Sequence, residues 1–191
     1  MFYTIQNDHL KVTVNSLGAE LHSIQSEDGT EYLWQGNPDV WNGQAPNIFP
    51  YVARLTEQKY TYDGNEYTMK IHGFINAVEL IPEKQTKESI TLRYDSNEET
   101  LAQYPFSFIY RITYALKGNV MHVTNEVENI GSTRMHFGIG GHPGFNVPLE
   151  DGLSFEDYCL EFSHSAHPYR VGFTADCFLN GSDAEIGRAS C

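Results

Sequence analysis

Short stretches that alternate apolar and polar residues run through most of the chain as far as Asn129. They are rich in Val, Ile, Thr, Tyr and Phe and are separated by Asn, Asp and Gly, which is typical of β-strands joined by turns. The alternation predicts strands over 2–6, 10–15, 18–25, Lys59–Tyr62, Glu66–Met69, 77–83, 89–94, Phe106–Leu116 and Val120–Asn129. Tight turns at 63–65 and 117–119 predict two hairpins. Because the last two strands are long, we expect a large antiparallel sheet.

One short helix is predicted, with Ser96 or Asn97 as its N-cap, acidic residues in its first turn, Gln103 at its end and Pro105 beyond it. Many strands with so little helix favour an all-β antiparallel sandwich over a βαβ fold. The length of 191 residues suits one domain over residues 1–191. Strand signals are brief over 150–191, so we expect an incomplete sandwich whose exposed sheet edge could pair with a second copy.

Composition and charge exclude several classes of protein. A hydrophobic fraction of 40% indicates a globular chain, and the net charge of −13, without a basic cluster, argues against nucleic acid as a partner. The three cysteines, Cys159, Cys177 and Cys191, are odd in number and confined to the last part of the chain, which favours a reducing compartment. No signal peptide or long apolar run is present, so we expect a cytoplasmic protein without a membrane partner.

The segment Gly140-Gly141-His142-Pro143-Gly144-Phe145-Asn146 carries the strongest chemical signal. Pro143 holds His142 in an extended backbone conformation, and the glycines let a ligand approach the main chain. A histidine with an ordinary pKa near 6.5 exchanges a proton close to neutrality, as general acid–base catalysis requires. The alternative is a tight turn in which His142 only hydrogen-bonds the backbone.

Two other segments contain candidate binding residues. In Ile71-His72-Gly73-Phe74 the imidazole can bind a hydroxyl and the aromatic ring can stack on an apolar sugar face, although a lone histidine is often structural. Arg54 lies in a proline-bounded loop over 45–55, where a surface ion pair is the alternative to a binding role.

A metal site is not expected. His164 and His167 form an H-x-x-H pair, but on a strand or loop this spacing directs the rings to opposite sides. Nothing in the sequence matches a nucleophile elbow, a P-loop or a dinucleotide fingerprint, so serine hydrolase, NTPase and Rossmann functions lack support.

Taken together, the motifs resemble the aldose 1-epimerase (galactose mutarotase-like) family, most closely its LacX-like branch. The resemblance spans most of the chain and rests on motifs in the family's order: Leu17-Gly-Ala-Glu-Leu-His-Ser-Ile24, Glu31-Tyr-Leu-Trp34-Gln-Gly-Asn-Pro-Asp-Val-Trp41, Ala45-Pro-Asn-Ile-Phe-Pro50, His72-Gly-Phe74, Tyr104-Pro-Phe106 and Gly140-Gly-His-Pro-Gly-Phe-Asn146. It implies a β-supersandwich and a cofactor-free interconversion of the α and β anomers of a free aldose, such as a hexose.

The resemblance also implies roles for particular residues. His142 matches the family's general acid on the ring oxygen, His72 matches the second catalytic-site histidine, and Arg54 matches a substrate-binding arginine. Phe74 and Phe145 are expected to contact the sugar. In the family a glutamate near the C-terminus takes the proton from the C1 hydroxyl, and no motif in 150–191 matches it.

We therefore expect roughly the last third of a family member to be missing and turnover to be weak or absent. Two alternatives stay open. One is a non-catalytic carbohydrate-binding module that stacks sugar on Phe74, Phe145 or Trp41. The other is a structural β-domain that self-associates through its exposed edge.

Overall fold

The computed structural model describes residues 1–162, 167–176 and 178–186. It contains two compact units, Met1–Asn146 and Val147–Cys191. The second unit begins close to position 150, where the strand signals in the sequence become brief. The interpretation of residues 1–191 as one domain stays a prediction.

The first unit is built almost entirely from antiparallel strands. They are β1 Phe2–Gln6, β2 Leu10–Asn15, β3 Leu21–Ser26, β4 Asn47–Ile48, β5 Lys59–Tyr62, β6 Asn65–Thr68, β7 Ile81–Gln85, β8 Ser89–Asp95, β9 Phe108–Lys117, β10 Val120–Asn129 and β11 Gly140–Gly141. The unit also has a helix, α1 (Glu98–Gln103), and 3₁₀ turns at Thr56–Gln58 and Ile75–Ala77.

These strands form a three-stranded sheet in the order β1-β2-β3 and a four-stranded sheet in the order β10-β9-β8-β7. Two small pairs, β5-β6 and β4-β11, complete the unit. The predicted all-β antiparallel class is confirmed. Most predicted boundaries agree within two residues, but two strands begin later than predicted. Strand β3 begins at Leu21 because Gly18 and Ala19 turn the backbone with positive φ, and β7 begins at Ile81 because 75–77 forms the 3₁₀ turn.

Helix α1 begins where its capping residue predicts. The Asn97 side chain accepts a hydrogen bond from the Thr100 amide, and the Thr100 hydroxyl accepts one from the Asn97 amide. This reciprocal capping box satisfies backbone donors that the first helical turn leaves open. Of the two N-caps that the sequence allowed, the structure selects Asn97.

The core lies between the two large sheets. Strand β9 alternates buried and half-buried residues along nearly its whole length, and its inward side chains are Phe108, Tyr110, Ile112, Tyr114 and Leu116. They belong to one apolar cluster with inward residues of the three-stranded sheet, such as Ile5 and Val12. Burial of these side chains is the main stabilising contribution to the unit.

The opposite face of the four-stranded sheet is charged. The Arg111 guanidinium makes ion pairs with Glu83, Glu126 and Glu128 across three strands. Because solvent screens these charges at the surface of the sheet, the pairs contribute little to its stability. Within the part of the chain that the structure describes, β10 is an edge strand, and self-association through it stays a prediction.

The second unit has little regular structure. It contains a 3₁₀ turn at Phe155–Asp157 and the short pair β12 (Tyr169–Arg170) and β13 (Ala184–Glu185). His167 Nδ1 lies 2.6 Å from Glu185 Oε1. Cys159 is a free, exposed thiol. His164, Cys177 and Cys191 lie outside the described residues.

The described ranges contain neither a metal-ligand cluster nor a membrane-spanning helix. Among those residues no group of three or more His, Cys, Asp or Glu side chains is arranged to hold a metal ion. Likewise, no helix in them has both the length and the apolar composition that a bilayer span requires.

Candidate functional site

The predicted histidines meet in one cavity of the first unit. The cavity has a volume of about 270 Å³, and its lining residues are Glu20, Trp41, Asn42, Gly43, Pro46, His72, Asn76 and His142. This volume is close to the lower end of the range for small-molecule sites, about 300 Å³, so the space suits one small ligand. The His72 and His142 ring centroids are 5.7 Å apart, close enough for both rings to contact the same small molecule.

His142 is placed by a minimal strand pairing. Strand β11 pairs with β4, so that Gly140 lies opposite Ile48 and Gly141 opposite Asn47. The next amide, that of His142, donates to the Pro46 carbonyl at 3.0 Å. The backbone is therefore held on both sides of the pairing, and Pro143 limits the conformation of the residue before it. No hydrogen bond joins the His142 ring to another described residue, so the ring is not committed to the backbone.

His72 is held by a reciprocal contact with Ala53. The His72 amide donates to the Ala53 carbonyl at 3.0 Å, and the Ala53 amide donates to His72 Nδ1 at 3.2 Å. Nδ1 must then be an acceptor, so the neutral ring carries its proton on Nε2. Both residues have positive φ, 65° for His72 and 75° for Ala53. Such strained backbone is retained only where the surroundings hold it, and it is common at functional sites.

The surroundings of His72 disfavour its charged form. Partial burial lowers its pKa from the ordinary value near 6.5, and the nearby His142 lowers that pKa further. A second positive charge 5.7 Å away is unfavourable for an imidazolium. His72 is therefore a neutral donor through Nε2 at physiological pH.

We expect this lowered pKa to make stability depend on pH in a known direction. The unfolded chain binds a proton at His72 more readily than the folded chain does. The contribution of neutral His72 to the free energy of unfolding is therefore complete at pH values above the ordinary pKa. That contribution is lost as the pH falls towards the folded value. A histidine NMR titration should place the His72 pKa below 6.5, and His142→Ala should raise it. His122→Ala, on the exposed strand β10, is the matched control and should leave the His72 titration unchanged. Equal effects of the two variants would contradict His142 as a cause of the lowered His72 pKa.

Trp41 supplies an aromatic wall. Its ring stacks on that of Trp34 with centroids 5.6 Å apart, and it lies 5.1 Å from the His142 ring at a tilt of 58°. The Trp34 amide donates to the Gly144 carbonyl at 3.0 Å, which connects this aromatic pair to the loop that contains His142. Aromatic rings of this kind provide apolar contact area in ligand sites.

Glu20 and Asn47 hold two backbone segments in place beside the cavity. Glu20 Oε1 accepts hydrogen bonds from the Gln44 and Ala45 amides, both at 2.9 Å. The buried Asn47 side chain donates to the Gly18 carbonyl, the Ala19 carbonyl and the Tyr114 hydroxyl. These bonds connect the turn before β3 to the segment that enters β4, so both segments keep their positions beside the histidines.

The structure places the other predicted binding residues elsewhere. Phe74 is only 6% exposed and packs in the core against Phe49, Tyr104 and Phe108, so its ring offers no stacking surface in this conformation. Burial of Phe74 next to the turn at Gly73 is the physical reason for the difference.

Phe145 and Arg54 also lie outside the cavity lining. Phe145 is 60% exposed and borders a separate concavity with Tyr32 and Met121. Arg54 is exposed and follows Ala53, the residue bonded to His72. Sugar-binding roles for Arg54 and Phe145 stay predictions.

Neither Glu20 nor Asn76 is predicted as a site residue from the sequence, although both line the cavity. The signal at Glu20 was an acidic residue between the apolar Ala19 and Leu21, which are both buried. Asn76 had no comparable signal, because its position depends on the 3₁₀ turn at Ile75–Ala77.

Comparisons with known proteins give matches over most of the chain. The family model described as "Aldose 1-epimerase" matches residues 1–171. The plasmid-encoded protein LacX of Lactococcus lactis subsp. lactis is 38% identical over 169 residues, covering 85% of this chain. A galactose mutarotase related enzyme from Lactobacillus acidophilus has 38% identity and a TM-score of 0.92 over 97% of this chain. A galactose mutarotase-like protein from Lactobacillus casei has 32% identity and a TM-score of 0.88 over 100% of it.

The relatives are longer than the region they share with this chain. The match covers 56% of the LacX protein. It covers 62% of the Lactobacillus acidophilus chain and 65% of the Lactobacillus casei chain.

Proposed function

This chain belongs to the aldose 1-epimerase family, and on that premise we propose that it binds a free aldose between His72, His142 and Trp41 and supports interconversion of its α and β anomers. The observation that carries the proposal is the convergence of the two histidines, with ring centroids 5.7 Å apart, in one cavity of about 270 Å³. A cavity of this size suits a monosaccharide better than a longer glycan.

The proposed reaction needs an acid and a base. As the acid, His142 donates a proton to the ring oxygen while a base takes the proton from the C1 hydroxyl, so that the bond between C1 and the ring oxygen breaks and C1 becomes an aldehyde. After rotation about the bond between C1 and C2, the reverse transfers close the ring with either configuration. His72, a neutral donor through Nε2, hydrogen-bonds an oxygen of the sugar near the reacting centre.

We further propose that turnover is weak. Glu20 is the carboxylate that lines the cavity among the described residues, and its Oε1 is already occupied by the Gln44 and Ala45 amides. These two bonds anchor the carboxylate to the backbone, so it is not free to move towards the C1 hydroxyl. Ring opening then lacks an efficient proton acceptor at the C1 hydroxyl.

A non-catalytic carbohydrate-binding role is the second candidate. It is favoured by the composition of the cavity, where the Trp41 ring offers an apolar surface beside side chains that can form hydrogen bonds. This role predicts saturable sugar binding with no exchange of anomers, whereas the first predicts binding with slow exchange.

Calorimetric titration with D-galactose and D-glucose, together with polarimetry of freshly dissolved α-anomers, tests the proposal. We expect saturable binding and only a small acceleration of mutarotation by the native chain. His142→Ala should remove the acceleration, and His122→Ala should not, because His122 lies outside the cavity.

Two results would overturn parts of this assignment. Equal behaviour of the two variants would show that His142 is not at the sugar site. Fast mutarotation that His142→Ala abolishes would support the site but refute the proposal of weak turnover.

A further inference from the structure

The carboxylate of Glu20 has one oxygen fixed and one oxygen open. Oε1 accepts from two backbone amides, those of Gln44 and Ala45, each at 2.9 Å. Two bonds to adjacent amides restrict the orientation of the carboxylate and, with it, the position of Oε2. The side chain is 22% exposed, which leaves the group only partly hydrated.

Oε2 has no hydrogen-bond donor among the residues that the structure describes. The nearest basic atom is His22 Nε2 at 3.9 Å, which is too long for a hydrogen bond. An ionised carboxylate is purely an acceptor, and a partly buried acceptor is stabilised by a donor that reaches it. Since Glu20 lines the cavity, Oε2 is the oxygen available to a donor on a bound molecule.

The hydrogen-bonding groups around the cavity are complementary. His72 presents an N–H donor through Nε2, because its Nδ1 accepts from the Ala53 amide. Glu20 presents an acceptor. A sugar hydroxyl both donates and accepts, so two neighbouring hydroxyls can use both groups at once, and the bond to the carboxylate is charge-assisted.

We infer that Glu20 is a substrate-orienting residue whose Oε2 accepts a hydrogen bond from one particular hydroxyl of the bound aldose. The inference rests on the proposed function and adds the group that determines how the sugar is placed against His142. Its second role, holding the Gln44–Ala45 turn, is structural and must be separated from the first by experiment.

Glu20→Gln separates the two roles. The amide oxygen of glutamine can still accept from the Gln44 and Ala45 amides, whereas its NH₂ group replaces the acceptor at Oε2 with a donor. Glu88→Gln, at an exposed position outside the cavity, is the matched control. The probes are D-galactose, D-glucose and their 2-, 3-, 4- and 6-deoxy derivatives, titrated calorimetrically into the native chain and each variant.

For the parent sugars we expect Glu20→Gln to weaken binding by about tenfold or more, which is typical for loss of a hydrogen bond to a charged group. Glu88→Gln should bind like the native chain. One deoxy sugar should bind the native chain about tenfold more weakly and lose nothing further in Glu20→Gln, because that sugar lacks the hydroxyl that Oε2 contacts. The remaining deoxy sugars should bind Glu20→Gln more weakly than the native chain by the same factor as the parent sugars.

Several outcomes would overturn the inference. If Glu20→Gln weakens the binding of every sugar, including every deoxy derivative, by the same factor, Glu20 acts only by holding the Gln44–Ala45 turn. If it binds all sugars within twofold of the native chain while His142→Ala does not, the orienting role is refuted and the proposed function survives. Loss of mutarotation at unchanged affinity would identify a base instead. If the native chain binds none of the sugars, the proposed function fails and this inference fails with it.

Discussion

Gly73→Ala is expected to destabilise the first unit by about 3–5 kcal/mol, one of the largest single effects in the molecule. Gly73 has φ +78°, and a Cβ there would overlap the Phe49 carbonyl oxygen. That carbonyl accepts hydrogen bonds from the Phe74 and Ile75 amides, so it cannot move away without breaking them. Urea unfolding followed by tryptophan fluorescence measures the loss, because both tryptophans lie in the first unit.

Gly64→Ala is the matched control for this substitution. Gly64 has nearly the same φ, +77°, but a Cβ there would meet nothing within 4 Å. Only the left-handed backbone penalty of about 1–2 kcal/mol applies to it. The difference between the two variants therefore isolates the clash at Phe49, and equal losses would contradict this explanation. Gly73→Ala should also displace His72 and weaken sugar binding, whereas Gly64→Ala should not.

The second large effect is expected at Phe49, where Phe49→Ala should lower the free energy of unfolding by about 3–5 kcal/mol. Its side chain is fully buried, and its ring lies against those of Phe74, Tyr104, Phe108, Tyr110 and Phe137 at centroid distances of 5.0–6.2 Å. Truncation removes buried apolar area and leaves a cavity that rigid aromatic neighbours fill poorly. Urea denaturation gives the change directly.

Two further variants make this prediction falsifiable. Phe2→Ala removes the same side chain from a position that is 60% exposed and should lose less than about 1 kcal/mol. Phe49→Leu leaves a smaller cavity and should lie between the two. If Phe49→Ala is no worse than Phe2→Ala, Phe49 is not the centre of the aromatic core.

Gly73→Ala and Phe49→Ala both disturb the contact between Phe49 and the segment that follows His72. Phe49 anchors the chain between β4 and the loop that carries Ala53, and its carbonyl receives the amides that follow His72. Stability of the core and placement of His72 therefore depend on the same residues. A substitution there should reduce sugar binding in proportion to the structural change, even though Phe49 does not line the cavity.

Most of the strands could be predicted because their signal is local. Alternation of side chains along β9 and β10, with a two-residue turn between them, places each residue on a face of the sheet without knowledge of any partner. The errors lie where backbone conformation depends on distant contacts. The turn before β3, for example, is held by Asn47, whose side chain donates to the Gly18 and Ala19 carbonyls.

The site was predictable only in part for the same reason. His142 and His72 were singled out by Pro and Gly neighbours, which constrain the backbone locally, and the structure brings them to one cavity. Phe74 has the same kind of neighbours but faces the core, since the sequence does not say on which side of the turn an aromatic ring will lie.

The sequence by itself determined the all-β class, most strand boundaries to within two residues, the capped helix and three candidate residues that line the cavity, His72, His142 and Trp41. These features follow from side-chain periodicity and turn chemistry, which act over a few positions along the chain. Only the tertiary structure decided that Glu20 and Trp41 line the same cavity as His72 and His142, and that Phe74 belongs to the core. Such proximity depends on how the strands pair and how the two sheets pack, and that involves residues far apart in sequence.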